Sequence, residues 1–307
     1  MLVYKTSSFK LTEPTAVMLG NFDGLHAGHK RLFAALEEKK AQGLKTVVFS
    51  FFPHPASFLT GTPFKYIYTP EEKIYLLKKM GADAYIEYPF GEVVNLPPER
   101  FIADILVEKL NCLFVAVGEN YRFGQNRAGG ADTLIAGGAK YGFDVKPVPL
   151  LLTESGVKVS SSSIREHILS ARFDKASELL TRPYFIRAAV ESGEKIGRSL
   201  GFPTVNQSID ALKLAPPNGV YSVFVHINGE TYKGAANVGV KPTVSSDSAA
   251  DSIADRIVTA ETFIIGFNEY IYGEVIEVDF LKKLRDERKF PDLDALKAQI
   301  ALDIARI

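Results

Sequence analysis

Leu19-Gly-Asn-Phe-Asp-Gly-Leu-His-Ala-Gly-His-Lys30 separates two segments of different periodicity. Before it, Thr15-Ala-Val-Met-Leu19 is an apolar run that predicts a buried strand; after it, Leu32, Phe33 and Leu36 with flanking alanines repeat at helical spacing. The stretch therefore reads as strand, tight loop and helix start. Gly20, Gly24 and Gly28 let the main chain turn sharply and let a bulky ligand such as a triphosphate approach it. His26 and His29 share one face of the helix's first turn, where unpaired N–H groups and the macrodipole favour anions. By spacing alone, a His-x-x-His pair reads equally as such an anion site or, more plainly, as a metal site or a capped loop. No third Cys or His stands nearby to complete a zinc set, which lowers the metal reading.

From Gly20 to His29, Gly-x-Phe-Asp-x-x-His-x-Gly-His resembles the signature of the nucleotidylyltransferase superfamily. The resemblance implies that a phosphate attacks the α-phosphate of a nucleoside triphosphate with no covalent enzyme intermediate. The protein then aligns the reactants and neutralises charge building on the α-phosphate and the departing pyrophosphate. It also implies that Gly20, Phe22, Asp23 and Gly28 surround the triphosphate and that His26 and His29 are catalytic.

A chain of 307 residues suggests two domains. Lys+Arg and Asp+Glu are each 36, so the formal charge is zero and the basic footprint of a nucleic-acid binder is missing. The one cysteine, Cys112, lies in an apolar run and reads as a reduced core residue. Met1-Leu-Val-Tyr-Lys-Thr6 has no apolar signal region, and no run reaches the roughly 18 apolar residues of a membrane helix. These features predict a cytoplasmic protein with neither nucleic-acid nor membrane partners.

Further along, Thr46-Val-Val-Phe-Ser-Phe51 predicts a second buried strand, ended by Pro53-His54-Pro55. Pro70-Glu-Glu-Lys opens a helix, followed by a strand over Ala84 to Tyr88, a helix from Pro98 to Leu110 and a strand over Leu113 to Val117. This alternation argues for a Rossmann-like α/β fold with a parallel sheet, whose ligands gather at the carboxyl ends of strands. The loop Gly118-Glu-Asn-Tyr-Arg-Phe-Gly124, with Arg127, Gly129 and Gly130, suits adenine or isoalloxazine stacking, or is a plain surface loop. Val159-Ser-Ser-Ser-Ser-Ile-Arg165 puts hydroxyls and an arginine at a helix start, which serves either N-capping or phosphate binding through Ser161, Ser162 and Arg165.

His54 in Phe-x-Pro-His-Pro, the Gly118 loop and Ser-Ser-Ser-x-Ile-Arg together resemble the adenylylation module of bacterial bifunctional riboflavin kinase/FAD synthetases. The resemblance implies flavin contacts at His54, Asn120, Tyr121 and Phe123. Phe52 and Asn120 stand where that family often carries acids.

After Arg182-Pro183 the helical periodicity gives way to short alternating strands: Tyr184 to Val190, Gly219 to Ile227, Glu230 to Gly234 and Val275 to Leu281. Asn228-Gly229 is a two-residue hairpin signal, and a last helix runs from about Asp292 to Ile304. The pattern predicts domains over 1–182 and 183–307, the second an antiparallel β-barrel with a closing helix. In Gly197-Arg-Ser-Leu-Gly-Phe-Pro-Thr-Val-Asn206, Thr204 and Asn206 would face the same way in a strand. Such oxygen donors suit magnesium with phosphate oxygens, although by spacing alone an ordinary barrel turn is the favoured reading.

That segment, with Asn218-Gly-Val-Tyr, Asn237-Val-Gly-Val-Lys-Pro-Thr243, Ala260-Glu-Thr262, Tyr272-Gly273 and Leu284-Arg-Asp-Glu-Arg-Lys-Phe290, resembles the riboflavin kinase domain in order. The resemblance implies an ATP site that includes Gly197 and Arg198, Mg2+ at Thr204 and Asn206, a catalytic base at Glu261, and a flavin or phosphate contact at Arg285. Val244 to Ile257 fits the pattern less well and reads as a mobile loop. The whole-chain expectation is phosphorylation of riboflavin to FMN followed by adenylylation of FMN to FAD, each with ATP. Two rivals are a flavin sensor without turnover and an adenylyltransferase for another phosphorylated substrate with a regulatory barrel.

Overall fold

The computed structural model describes residues 1–192, 201–242 and 256–307. Contacts divide the chain into two units, Met1–Ser161 and Ser162–Ile307.

In the first unit the apolar runs become parallel strands: β1 (Leu2–Tyr4), β2 (Thr15–Leu19), β3 (Lys45–Phe52), β4 (Ala84–Pro89), β5 (Cys112–Gly118) and β6 (Asp144–Val148). Their order is β1-β4-β3-β2-β5-β6. All five residues of β2 are buried, as a strand covered on both faces requires. The chain leaves β2 for β3 on one side and later returns to place β5 on the other, so the topology switches direction between β2 and β5. Helix α1 (Ala27–Lys40) follows β2, and α2 (Pro55–Thr60) follows β3. Helix α3 (Pro70–Lys79) starts with a capping box in which Thr69 and Glu72 satisfy each other's backbone N–H groups.

The expected helix from Pro98 is a single α turn, α4 (Pro98–Arg100), that widens into a π-helix over Phe101–Lys109. The wider coil turns Phe101, Ile102, Ile105 and Leu106 all into the core. Helix α5 (Ala131–Tyr141) precedes β6; these two elements, with β1 and α2, were not among the sequence expectations. Cys112 is buried, and burial pushes its thiol up to about 12.

The second unit opens with α6 (Ser161–Leu169), whose first residue contacts assign to the first unit, and α7 (Phe173–Leu180). Then come β7 (Tyr184–Ala189), β8 (Thr204–Ser208), β9 (Gly219–Ile227), β10 (Glu230–Pro242), β11 (Arg256–Ile264), β12 (Val275–Arg285) and α8 (Leu293–Ile304). The strands form an antiparallel sheet in the order β7-β12-β9-β10-β11-β8. Its ends meet where Glu191 N donates to Asn206 O at 2.7 Å and Gln207 Nε2 donates to Ala188 O and Ile276 O. The Asn228-Gly229 hairpin is formed with both residues at positive φ, 52° and 87°, as a primed turn needs.

By contacts, α6 beyond Ser161 and α7 group with the barrel strands, and α7 is part of the barrel's packing. The Phe173 ring lies 5.9, 5.5 and 5.6 Å from those of Tyr184, Tyr221 and Phe280. Gly197, Arg198 and residues 244–255 of the expected mobile loop lie outside the described residues, while Arg256 and Ile257 open β11.

Helix α8 is fastened by one buried charge. Asp303, 2% exposed, accepts from Arg285 Nε and Nη2, each at 2.9 Å to Oδ2. Gln299 Nε2 donates to Asp303 Oδ1 at 2.7 Å. Removing the carboxylate leaves the guanidinium uncompensated beside an apolar layer. Asp303→Ala should therefore lower the stability of the second unit by about 3–5 kcal/mol in denaturant unfolding, with the first unit's transition unmoved.

Candidate functional site

The loop between β2 and α1 lies at the switch point. Phe22, Gly24 and Leu25 all take positive φ there, of 52°, 84° and 43°. Two of them are not glycine, so surrounding contacts must hold the backbone in place. Those contacts are visible: Asn21 O accepts from Lys73 Nζ at 3.0 Å and from Ser50 Oγ at 3.3 Å. Asp23 Oδ1 accepts from Ile67 N at 2.8 Å, and Asp23 O accepts from Ser161 Oγ at 2.8 Å. Asp23, only 3% exposed, thus braces the loop from within.

The braced loop presents His26 and His29. Their rings stack with centroids 3.6 Å apart and planes 19° apart, and the Phe22 ring meets His29 edge-on at 5.2 Å. Gly20 and Gly28 act by absence: a Cβ on Gly20 would lie 3.0 Å from the Phe22 ring, and one on Gly28 would lie 3.2 Å from the His26 ring. His26 is the N-cap residue of α1, so both imidazoles sit at the end of a 14-residue helix where N–H groups point outward.

Lys73 was missed in the sequence reading, where it passes for a solvated helix charge. It is 2% exposed, and burial lowers its pKa while the charges of Asp23 and Glu87 oppose that shift. The Tyr66 ring lies 5.6 Å from its ammonium.

His54 follows β3 and caps α2: its Nδ1 accepts from Ala56 N at 3.2 Å. Its ring stacks on Phe64 at 3.7 Å with planes 2° apart. After β5, the rings of Tyr121 and Phe123 stack at 5.9 Å, and Asn120 lies beside Gly118, whose added Cβ would sit 3.3 Å from Asn120 Oδ1. The Tyr121 hydroxyl is shielded from solvent and finds no hydrogen-bond partner among the described residues, and burial raises its pKa. Ser162 is exposed and Arg165 half-buried in the first turn of α6.

In the second unit, strand register lines up Asn206, Glu261, Asn237, Val220 and Arg285 across β8, β11, β10, β9 and β12. Directly opposed residues project from the same face, so Glu261 stands between two carboxamides. A cavity of about 380 Å³ is lined by Thr204, Asn237, Glu261, Arg285 and Phe290 among others. A second, of about 390 Å³, is lined by Thr204, Asn206, Tyr270 and Tyr272 among others. Thr204 belongs to both walls. Each volume is in the range of small-ligand sites.

Arg285, expected to contact flavin or phosphate, lines the first cavity with its guanidinium already engaged by protein groups. Its Nε and Nη2 are committed to Asp303 and its Nη1 to Asp286 O, while its guanidinium lies 5.6 Å from the Phe290 ring. It shapes the cavity and anchors α8.

A family model described as FAD synthetase matches residues 8–163, and one described as riboflavin kinase matches residues 180–307. The bifunctional riboflavin kinase/FMN adenylyltransferase of Buchnera aphidicola is 36% identical, covering 96% of this chain and 93% of its own. That of Escherichia coli K12 is 35% identical over 95% of this chain and 91% of its own. A crystal structure named for a macrolide-efflux protein from Streptococcus pneumoniae shares the fold, with a TM-score of 0.84, 28% identity, and coverage of 99% of this chain and 97% of that one. No helix among the described residues is long and apolar enough to cross a membrane. With both family models matched in sequence order and relatives similar along almost their full length, the chain belongs to the bifunctional riboflavin kinase/FMN adenylyltransferase family.

Proposed function

We propose that the second unit transfers a phosphoryl group from ATP to riboflavin, giving FMN and ADP, and that the first unit transfers AMP from ATP to FMN, giving FAD and pyrophosphate. The observation that carries this reading is that each unit holds its own arrangement of the required chemistry. Stacked imidazoles stand at a helix N-terminus in one, and a carboxylate lies between two carboxamides on a cavity wall in the other. The substrates are small molecules, the reading requires no nucleic acid or membrane, and the buried lone cysteine accords with a cytoplasmic setting.

In the kinase, Glu261 accepts the proton of the ribityl hydroxyl as its oxygen bonds to the terminal phosphorus and the bond to ADP breaks. Thr204 and Asn206 offer a hydroxyl and an amide oxygen on one face of β8, a donor set that fits magnesium. When bound, that ion would offset phosphate charge. In the transferase, His26, His29 and the first N–H groups of α1 donate to the α-phosphate and the leaving pyrophosphate as an FMN phosphate oxygen attacks. The His54–Phe64 and Tyr121–Phe123 ring pairs are the aromatic surfaces assigned to a base or isoalloxazine. Ser161, Ser162 and Arg165 are assigned to phosphate on the strength of their donors alone.

Incubation with riboflavin, ATP and magnesium, followed by chromatography, should show FMN and then FAD. His29→Ala should cut FAD formation by roughly 10²-fold or more while FMN still accumulates. Unchanged FAD synthesis would remove the histidine pair from the mechanism.

Glu261→Gln keeps shape and removes basicity. FMN formation should fall by roughly 10²–10⁴-fold, with supplied FMN still adenylylated. Parallel loss of both activities would point to misfolding instead.

We further assign the transferase to residues 1–182 and the kinase to 183–307, with α7 as a support that the kinase borrows from before that boundary. A fragment from Ser162 to Ile307 should phosphorylate riboflavin unaided. One starting at Pro183 should be less stable, because it lacks the Phe173 ring packed on Tyr184, Tyr221 and Phe280. Equal stability of the two fragments would show that α7 is dispensable, and an inert, folded longer fragment would refute a self-contained kinase.

A further inference from the structure

The outer part of the β9–β12 pair carries a cluster that neither reaction uses. Glu277 stands directly opposite His226, and Asp279 projects from the same side of β12 two residues on. One nitrogen of His226 and one carboxylate oxygen from each acid all lie within 4.8 Å of one another. His226 is six positions along β9 from Val220, which lines the kinase cavity, a span of roughly 20 Å.

Part of this cluster is complete without a ligand. His226 Nε2 and Asp279 Oδ2 are hydrogen-bonded at 2.8 Å, and Asp279 is 7% exposed. Glu277 is not accounted for in that way. Its Oε2 is shielded from solvent, yet no hydrogen bond reaches it among the described residues. Arg187, opposite Glu277 on β7, makes none to that oxygen. A buried carboxylate oxygen without a hydrogen-bond donor is costly, and a bound cation is one way to satisfy it.

We propose that His226, Glu277 and Asp279 form a binding site for a first-row divalent cation of the zinc class, outside both reaction sites. One imidazole nitrogen and two carboxylate oxygens are a donor set for such an ion, with further positions left to water. Donors about 2.1 Å from a common ion are at most about 4.2 Å apart, so side-chain movement of under about an ångström closes the set. The second shell is in place: Thr231 Oγ1 lies 3.0 Å from His226 Nδ1, holding the ring with Nε2 toward the acids. Strand register fixes the three backbones, so the site needs no loop rearrangement.

The test is calorimetric titration of the chelator-treated full chain with zinc chloride, without ATP or flavin. One zinc should bind per chain, and His226→Ala and Asp279→Asn should each weaken it by at least about 10-fold with FMN formation unchanged. Thr231→Val, which leaves all three ligands present, should weaken binding by about 10- to 100-fold while the circular dichroism spectrum matches the parent's. His29→Ala should bind zinc as the parent does. The proposal is overturned if zinc does not saturate, if the His226 and Asp279 variants bind as well as the parent, or if His29→Ala abolishes binding.

Discussion

Hydrogen bonding between strands decides which side chains can meet in both halves of this protein. In the first unit, parallel pairing sends the loops after β2, β3 and β5 out from one edge of the sheet, so residues from three distant stretches share that edge. In the second, antiparallel pairing sets Asn206, Glu261 and Asn237 side by side although they come from three separate strands. A slip of one residue in either pairing would turn Glu261 to the other face of the sheet. Chemistry in the barrel therefore depends on register before it depends on any property of the carboxylate.

Both halves also hold charge out of water to fix a position. Lys73 sits almost fully buried so that its ammonium can reach Asn21 O, and the nearby aromatic rings and acids compensate it. Asp303 is buried so that it can hold the guanidinium of Arg285. Pairs of this kind add little net stability over well-packed apolar residues. What they supply here is placement: one keeps a left-handed loop from relaxing, and the other keeps the closing helix against the cavity wall.

Much of this organisation was legible in the sequence because it depends on local pattern. The β2 strand, the glycine-rich turn, the Pro70 start of α3 and the Asn228-Gly229 hairpin each follow from neighbouring residues. The change of periodicity near Pro183 marked the barrel's first strand, but it could not reveal that Phe173 packs into the barrel, because an apolar helix face does not say which sheet it covers. Lys73 was unreadable for a similar reason: after Glu71-Glu72 it looks like an ordinary exposed charge, and only folding brings Asn21 within reach. The partner of Arg285 is 18 residues away on another element, a pairing that spacing cannot disclose.

The two glycines beside the histidines have a consequence for how this sequence can drift over generations. Each makes room for one particular ring, Gly20 for Phe22 and Gly28 for His26. Phe22 is 1% exposed on a left-handed backbone and cannot swing aside, and His26 is held in its stack with His29. A methyl group at either glycine would press on its ring and shift it by a few tenths of an ångström, so the cost of a side chain there is set by how firmly that ring is held. The two positions are thus coupled to their rings, and a change at one alters what the other tolerates.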